Sequence, residues 1–332
     1  MSAQAGELDR LAIQLYEEGV AGFLPTTLSG SVAQIESALS SLGAWIDGKH
    51  QAGPRAGEAF PLGIHLEGPF IAKACCGAHP AENLIPPSLE LLKRWHQISH
   101  RTLAKITIAP ETAEWTEIRK ILVWAKKHKI SVSLGHSQTN SALALRAIRF
   151  GANSLTHAWN AMPFHHRNPG LLGVALGTPN LFVEIIPDNT HVSDLVVDWT
   201  LRLHEKGVCF VSDAVPAAHT RQWSSFGPLK VQISQGAGRT RNGALAGGGS
   251  SLFETFQGFW KRHLNSPFKR SRQGVECLLQ ALTEWPLQSI PSSSRWLARL
   301  RQTHVFEYRL GKHAGIRPLP RVSSKPRKQI KS

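Results

Sequence analysis

Residues 63–70 of the chain, GIHLEGPF, contain the pattern that decides the fold. Their apolar first half is typical of a short buried strand, and the Gly-Pro pair ends that strand and opens a loop. Glu67 is therefore predicted at the carboxyl end of a strand, which is the position at which α/β barrels carry their chemistry.

Three later stretches repeat this design with another polar residue at the predicted strand end. The chain reads VSLGHS at 132–137, SLTH at 154–157 and VCFVSDA at 208–214. Because the carboxyl ends of parallel strands meet at one edge of a sheet, we expect their polar residues to converge with Glu67. Those residues are His136, His157 and Asp213.

Seven segments are predicted as strands, and most alternate with helical patterns such as residues 31–46, for which Ser29 or Ser31 is available as a cap. This alternation is typical of a parallel sheet built from βα units. Seven strands are one short of a closed (β/α)8 barrel of the TIM type, so either the sheet is open or one strand is missing. The seven segments are residues 21–27, 63–67, 105–110, 131–136, 154–160, 181–188 and 208–213.

The net charge of the 332-residue chain is +15, and it is concentrated in the C-terminal part. Residues 255–332 contain 16 Lys or Arg and three acidic side chains, whereas the first 254 residues contain 22 basic and 20 acidic ones. We therefore expect a barrel over residues 1–254 and a basic, partly disordered tail over residues 255–332 with no trusted helix or strand pattern. A tail without function is favoured over one that binds nucleic acid, so no nucleic-acid partner is expected.

The sequence lacks the signals of an exported or membrane-bound protein. The N-terminus has no basic region followed by an apolar one, and no apolar run approaches the roughly 18 residues of a membrane span. The four cysteines have no spacing typical of a disulfide framework. We expect a cytoplasmic protein without membrane contact.

Glu67, His136 and His157 form a set of one carboxylate and two imidazoles. This set, with a fourth position left to water, is a catalytic zinc pattern. Zinc would lower the pKa of that water to roughly 7, and Asp213 could take its proton and hand it to a leaving amine. A single histidine at a strand end is more often structural, but four such polar residues on four strand ends favour a metal hydrolase.

Several loops after the predicted strands offer groups for a polar ligand. Main-chain N–H groups near Asn160 and Ala161 could hold an anion, and Arg167 is suited to bidentate contact with phosphate. His79 and His191 add two imidazoles to the same edge. Each of these residues alone is more often a solvated loop residue, and together they indicate a ligand that carries phosphate.

The motifs, in their order and spacing over about residues 20–247, resemble the N-acetylglucosamine-6-phosphate deacetylase family of the amidohydrolase superfamily. The resemblance rests on nine stretches. They are GIHLEGPF (63–70), GAHP (77–80), TIAPE (107–111), LGHS (134–137), THAWNAM (156–162), HHRNPGLLG (165–173), EIIPDNTHV (184–192), VSDA (211–214) and LAG (245–247).

The resemblance implies a (β/α)8 barrel that hydrolyses the acetamide of N-acetylglucosamine 6-phosphate to glucosamine 6-phosphate and acetate. It implies Glu67, His136 and His157 as ligands of one metal ion, expected to be Zn²⁺, and Asp213 as general acid and base. It also implies a homodimer and a set of substrate contacts. Those contacts are His79 near the substrate carbonyl, His191 on the sugar hydroxyls, Asn160 and the Ala161 main chain on the phosphate, and Arg167 on the phosphate bound by a neighbouring subunit.

The chain also departs from the family pattern. The resemblance implies that the chain starts after the first barrel strand and most of a small β-sandwich. Residues 248–332 do not resemble the family's C-terminal part. Asn168 and Val215 replace the residues that are usual at these positions in the family. We therefore expect an incomplete barrel, truncated at the N-terminus and divergent at the C-terminus, with low stability. Two alternatives stay open, namely a catalytically impaired remnant and a related amidohydrolase with another acyl-amino substrate.

Overall fold

The computed structural model describes residues 5–204, 206–218, 222–227, 229–262, 272–303, 306–308 and 318–320. Its first nine strands are β1 (Gly22–Phe23), β2 (Thr26–Thr27), β3 (Phe60–Pro61), β4 (Ile64–Glu67), β5 (Leu103–Ile108), β6 (Ser131–Leu134), β7 (Ser154–Leu155), β8 (Phe182–Ile185) and β9 (Val208–Phe210). The strands β1 and β3 form a separate parallel pair.

Seven parallel strands form the central sheet in the order β2–β4–β5–β6–β7–β8–β9. Helices alternate with these strands, as βα units require. They are α1 (Ala5–Glu17), α2 (Val32–Ala52), α3 (Leu89–Ile98), α4 (Trp115–Lys127), α5 (Ser141–Phe150), α6 (Gly170–Leu176) and α7 (Asp194–Leu203). The predicted α/β fold with an incomplete barrel is confirmed, and every predicted strand segment contributes to this sheet.

Local sequence fixes where these helices start. Ser31 accepts a hydrogen bond from the Gln34 main-chain N–H, and the Gln34 side chain accepts one from the Ser31 main-chain N–H, which forms a capping box at α2. Of the two serines proposed as caps, Ser31 is therefore the one used. Ser88 and Ser193 cap α3 and α7 through their side-chain oxygens alone, which accept from the Leu91 and Val196 main-chain N–H groups.

A small antiparallel sheet follows the central one. It has the order β10 (Ser224–Phe226), β11 (Leu229–Ser234), β12 (Ala237–Thr240) and β13 (Leu245–Gly248). The last strand segment predicted from the sequence is 208–213, so these four strands were not predicted. The strands are short, and β12 and β13 contain glycine, so only β11, with alternating Leu229, Val231 and Ile233, carries a period-2 signal.

The C-terminal part contains helices α8 (Leu252–Arg262), α9 (Arg272–Gln288) and α10 (Ser294–Thr303), and a strand pair of β14 (Phe306–Tyr308) and β15 (Pro318–Pro320). Phe256, Phe259 and Trp260 of α8 are buried in one core cluster with Phe210 of β9. The expectation that residues 255–332 carry no helix or strand pattern is therefore contradicted by the helices described there. The predicted disorder of residues 317–332 concerns residues that, apart from 318–320, lie outside the described ones.

Among the described residues, no helix combines the length and the apolar character that crossing a membrane requires.

Candidate metal centre and active site

Glu67 is the last residue of β4, and His136 and His157 lie two residues after the ends of β6 and β7. The Nε2 atoms of His136 and His157 lie 3.1 and 2.9 Å from Glu67 Oε1. The two Nε2 atoms lie 3.0 Å from each other. All three side chains are buried, and they form the one group of ligand type found among the described residues. The predicted convergence of the three residues is therefore observed.

The chain turns sharply at each of these strand ends. His136, His157 and Asp213 have φ angles of 48°, 31° and 48°, in the left-handed region that residues other than glycine seldom adopt. Strained backbone of this kind persists where the surrounding structure holds it, and it is concentrated at functional sites. The turn lets a residue just past the strand point back over the end of the sheet.

The chemistry of the three ligands fits a metal ion. The Cys75 carbonyl oxygen lies 2.7 Å from His136 Nδ1, so Nδ1 carries the proton and donates it to that carbonyl. The lone pair of His136 Nε2 then faces the Glu67 carboxylate and the second imidazole. Three electron-pair donors this close together favour a cation between them, and imidazole and carboxylate are ligands that zinc prefers.

A proton on His157 can compensate the charge of Glu67. Burial opposes charge on Glu67, but the hydrogen bond from His157 and the positive charge of that imidazole outweigh it and hold the Glu67 pKa well below its usual range. Burial also opposes charge on His157, but the hydrogen bond to Glu67 and the charge of that carboxylate raise the His157 pKa to about 9. Burial lowers the pKa of His136. A divalent cation would take the place of the proton on His157.

Asp213 follows β9 and lines the same cavity as the three ligands. Burial, and then the charge of Glu67, raise its pKa to about 6. The main-chain oxygen of Asp213 accepts a hydrogen bond of 2.7 Å from the Gly248 N–H. The last strand of the antiparallel sheet therefore holds the loop that carries this carboxyl group.

Two further predicted histidines, His79 and His191, line the same cavity. His79 Nε2 lies 3.9 Å from Glu67 Oε1, and its Nδ1 contacts Ser29. His191 Nδ1 lies 2.7 Å from Asp188 Oδ2, and its buried Nε2 has no hydrogen-bond partner among the described residues. Burial opposes charge on Asp188, but hydrogen bonds from His191 outweigh it and lower the Asp188 pKa. Both imidazoles are thus fixed on one nitrogen and offer the other one to a ligand.

Of the three residues predicted to contact phosphate, two line the cavity and one does not. Asn160 and Ala161 line the cavity, and Ala161 has a φ of 52°. The Asn160 amide donates to the His157 main-chain oxygen at 3.1 Å. Arg167 is exposed and lies outside the lining of this cavity. The structure therefore brings every predicted site residue except Arg167 to one place.

The interior of the sheet below the site is polar, which the sequence analysis missed. The Lys105 ammonium forms an ion pair with Glu184, and both side chains are buried. His65 Nε2 lies 2.7 Å from Thr107 Oγ1, which lies 2.7 Å from Thr156 Oγ1. Alternation of Lys105 and Thr107 along one strand is a signal of an inward-facing polar row, but the partners are distant in sequence.

The cavity over the sheet has a volume of about 1970 Å³. It extends from the three ligands to the gap between the two outer strands, where Thr26 and Thr27 lie on one side and Phe210 and Val211 on the other. Ligand pockets usually measure about 300–1,000 Å³, so the space is larger than one small ligand needs.

A parallel βα sheet with two histidines, a glutamate and an aspartate at its strand ends defines a protein of the amidohydrolase class. No family model matches the chain. The N-acetylglucosamine-6-phosphate deacetylase of Bacillus subtilis is 34% identical over 250 residues, which are 74% of this chain and 62% of that protein. The one of Vibrio furnissii is 31% identical over 274 residues, which are 82% of this chain and 66% of that protein. The chain belongs to the N-acetylglucosamine-6-phosphate deacetylase family.

The solved structures agree with this assignment. The N-acetylglucosamine-6-phosphate deacetylase of Thermotoga maritima has a TM-score of 0.72 and 26% identity, with 87% of this chain and 75% of that chain covered.

One curated relative has a different name. An N-acetylgalactosamine-6-phosphate deacetylase of Escherichia coli O157:H7 is 31% identical over 243 residues, which are 72% of this chain and 62% of that protein. The chain thus spans about 60% of the length of several curated relatives.

Proposed function

We propose that the chain hydrolyses the acetamide of N-acetylglucosamine 6-phosphate to glucosamine 6-phosphate and acetate. The observation that carries this proposal is the convergence of Glu67, His136 and His157 on one point, with Asp213 on the same cavity. The names of the relatives supply the substrate. A second candidate is the galactosamine isomer of this substrate, because one relative of similar identity carries that name.

Glu67 Oε1 and the Nε2 atoms of His136 and His157 would hold one divalent metal ion, which we propose to be Zn²⁺. A bound zinc ion supplies Lewis-acid activation of the amide carbonyl and of the attacking water. The Cys75 carbonyl keeps the His136 ring in the tautomer that this role needs.

Asp213 would move the proton of the reaction. A carboxyl group whose pKa is raised to about 6 is ionised in part near neutral pH, and it can both accept and return a proton. It takes one proton from water as the new C–O bond forms. It gives that proton to the amide nitrogen as the C–N bond breaks, so acetate and a free amine leave.

The remaining predicted residues would bind the substrate. His79 donates from Nε2 to the acyl oxygen, and His191 contacts the sugar hydroxyls through Nε2. Asn160 and the Ala161 main chain hold the phosphate. Arg167, which is exposed, reaches the phosphate bound by a second copy of the chain in a homodimer. The partners proposed are thus a phosphosugar and a second copy of the chain, without nucleic acid, and the cytoplasm stays the predicted location.

Acetate release by the purified, zinc-loaded chain tests the proposal. Release from N-acetylglucosamine 6-phosphate is expected for the native chain, and Asp213→Asn, which cannot accept the proton, should lose at least about 10²-fold in kcat. The galactosamine isomer, assayed in parallel, separates the two candidates. A folded, zinc-loaded chain that releases no acetate from either substrate would be a catalytically impaired member of the family.

A further inference from the structure

Ser29 lies on the loop between β2 and α2 and is completely buried. It makes two contacts with the same nitrogen of His79. The Ser29 main-chain N–H lies 3.2 Å from His79 Nδ1, and the Ser29 hydroxyl lies 2.8 Å from it. The helix that follows is capped by Ser31, so the polar groups of Ser29 are not used as a helix cap.

These contacts determine which ring nitrogen of neutral His79 carries the proton. A main-chain N–H can only donate, so His79 Nδ1 must accept from Ser29. The Ser29 hydroxyl then donates to the same lone pair, as in a three-centre hydrogen bond. The proton of the neutral imidazole is therefore on Nε2, the atom that faces the metal centre at 3.9 Å from Glu67 Oε1.

Gly68, within the stretch GIHLEGPF (63–70), leaves room for the contact between Ser29 and His79. Gly68 has a φ of 68°, and a Cβ atom at this position would lie 2.1 Å from Ser29 Oγ and 3.1 Å from His79 Nδ1. Any side chain at position 68 would push the serine and the imidazole apart. The glycine after Glu67 therefore leaves the space in which Ser29 reaches His79.

We propose that Ser29 is a positioning residue that fixes His79 as the Nε2–H tautomer, so that the ring presents a hydrogen-bond donor to the acyl oxygen of the substrate. The inference rests on the proposed function for the identity of the acyl group. The tautomer itself rests only on the contacts of Ser29. His191 has the opposite tautomer, because its Nδ1 donates to the Asp188 carboxylate and its Nε2 is left as the acceptor.

The ¹⁵N chemical shifts of the His79 ring test the tautomer without any assay of activity. The full chain is labelled with ¹⁵N-histidine, and the His79 signals are assigned by their loss in His79→Gln. A protonated Nε2 and an unprotonated Nδ1 are expected for the neutral ring. A proton on Nδ1 in the folded native chain would overturn the inference.

The variant Ser29→Ala tests the hydroxyl and keeps the main-chain N–H. Because the main-chain N–H still donates to Nδ1, the His79 shifts should move only part of the way towards the other tautomer, and kcat should fall about three- to tenfold with KM nearly unchanged, as expected for loss of one hydrogen bond. Ser29→Thr should restore both readouts. Ser99→Ala serves as the control, since Ser99 is equally buried and donates to the His96 main-chain oxygen. Unchanged shifts and kcat in Ser29→Ala would show that the hydroxyl does not position the ring.

Failure of this inference and failure of the proposed function give different results. The Nε2–H tautomer in a folded chain that releases no acetate would leave the role of Ser29 intact and contradict the activity. An active chain with the proton on Nδ1 would do the reverse.

Discussion

At the scale of single residues, the site could be predicted where a polar side chain ends an apolar strand. Glu67, His136, His157 and Asp213 each follow such a segment, and the structure places them around one cavity. Ser29 and Asp188 could not be found in this way. Their roles depend on a contact with an imidazole, and serine and aspartate are common in loops for other reasons.

The buried ion pair of Lys105 and Glu184 also could not be predicted. The two residues lie 79 positions apart, on β5 and β8, and they meet only because the sheet curves. A lysine in a strand indicates an exposed position by default, since buried lysines are rare unless paired. The contact between Lys105 and Glu184 therefore depends on the curvature of the whole sheet.

Lys105→Met should destabilise the chain strongly. It leaves the Glu184 carboxylate buried without a partner, which costs about 3–5 kcal/mol. The double variant Lys105→Met/Glu184→Leu should recover most of this loss, because neither charge then remains inside. Urea unfolding of the native chain and of the single and double variants measures both effects. A double variant as unstable as Lys105→Met would contradict this account of the pair.

At the scale of elements, the seven strands of the central sheet were predictable because each is a short apolar run bounded by turn residues. The antiparallel strands were not, since three of the four have little alternation. Their function is visible only in three dimensions. β13 brings Gly247 and Gly248 against the loop of Asp213, and Gly248 donates to its main-chain oxygen.

The variant Gly247→Ala should impair the role of the Asp213 carboxyl group, because it alters the contact between β13 and the Asp213 loop. Gly247 has a φ of 115°, and a Cβ atom would lie 2.5 Å from the Asp213 main-chain oxygen. The Asp213 loop must shift, and kcat should fall at least about tenfold while zinc stays bound. Steady-state kinetics with a zinc measurement on the same sample give both values.

Gly243→Ala, in the turn between β12 and β13, is the matched control. Gly243 also has a positive φ, of 84°, but a Cβ atom there would have no heavy atom within 4 Å. It should lose only about 1 kcal/mol of stability from the strained backbone and keep its kcat. Equal kcat values for the two variants would exclude β13 as the support of Asp213.

At the scale of the whole molecule, charge was a poor guide to structure. The excess of basic residues after position 254 predicted a separate tail, yet the described part of this segment shares a core with the barrel. Phe256, Phe259 and Trp260 pack with Phe210, while Trp296 and Leu300 pack with Phe60 and Leu62 on the other side of the gap. The aromatic residues at helical spacing indicate this core packing, but the many basic residues of the segment made the helical pattern hard to recognise. A functional boundary at residue 254 stays a prediction.

Deleting residues 255–332 should unfold the chain. Each large apolar side chain removed from the core costs about 1.5–3 kcal/mol, and this deletion removes several of them from a total stability of about 5–15 kcal/mol. Circular dichroism during thermal unfolding measures the loss. Deletion of 321–332 alone is the control and should change the melting temperature little. If the chain of residues 1–254 unfolds cooperatively at the melting temperature of the full chain, this result would instead support an autonomous barrel.

Zinc-dependent acetate release tests the central claim most directly. Metal-free chain is titrated with zinc, and acetate release from N-acetylglucosamine 6-phosphate is measured at each step. The account predicts that activity rises to a plateau at one zinc ion per chain, and that His157→Ala neither binds zinc tightly nor becomes active. Activity that is independent of zinc, or a folded chain that binds zinc and releases no acetate, would contradict it.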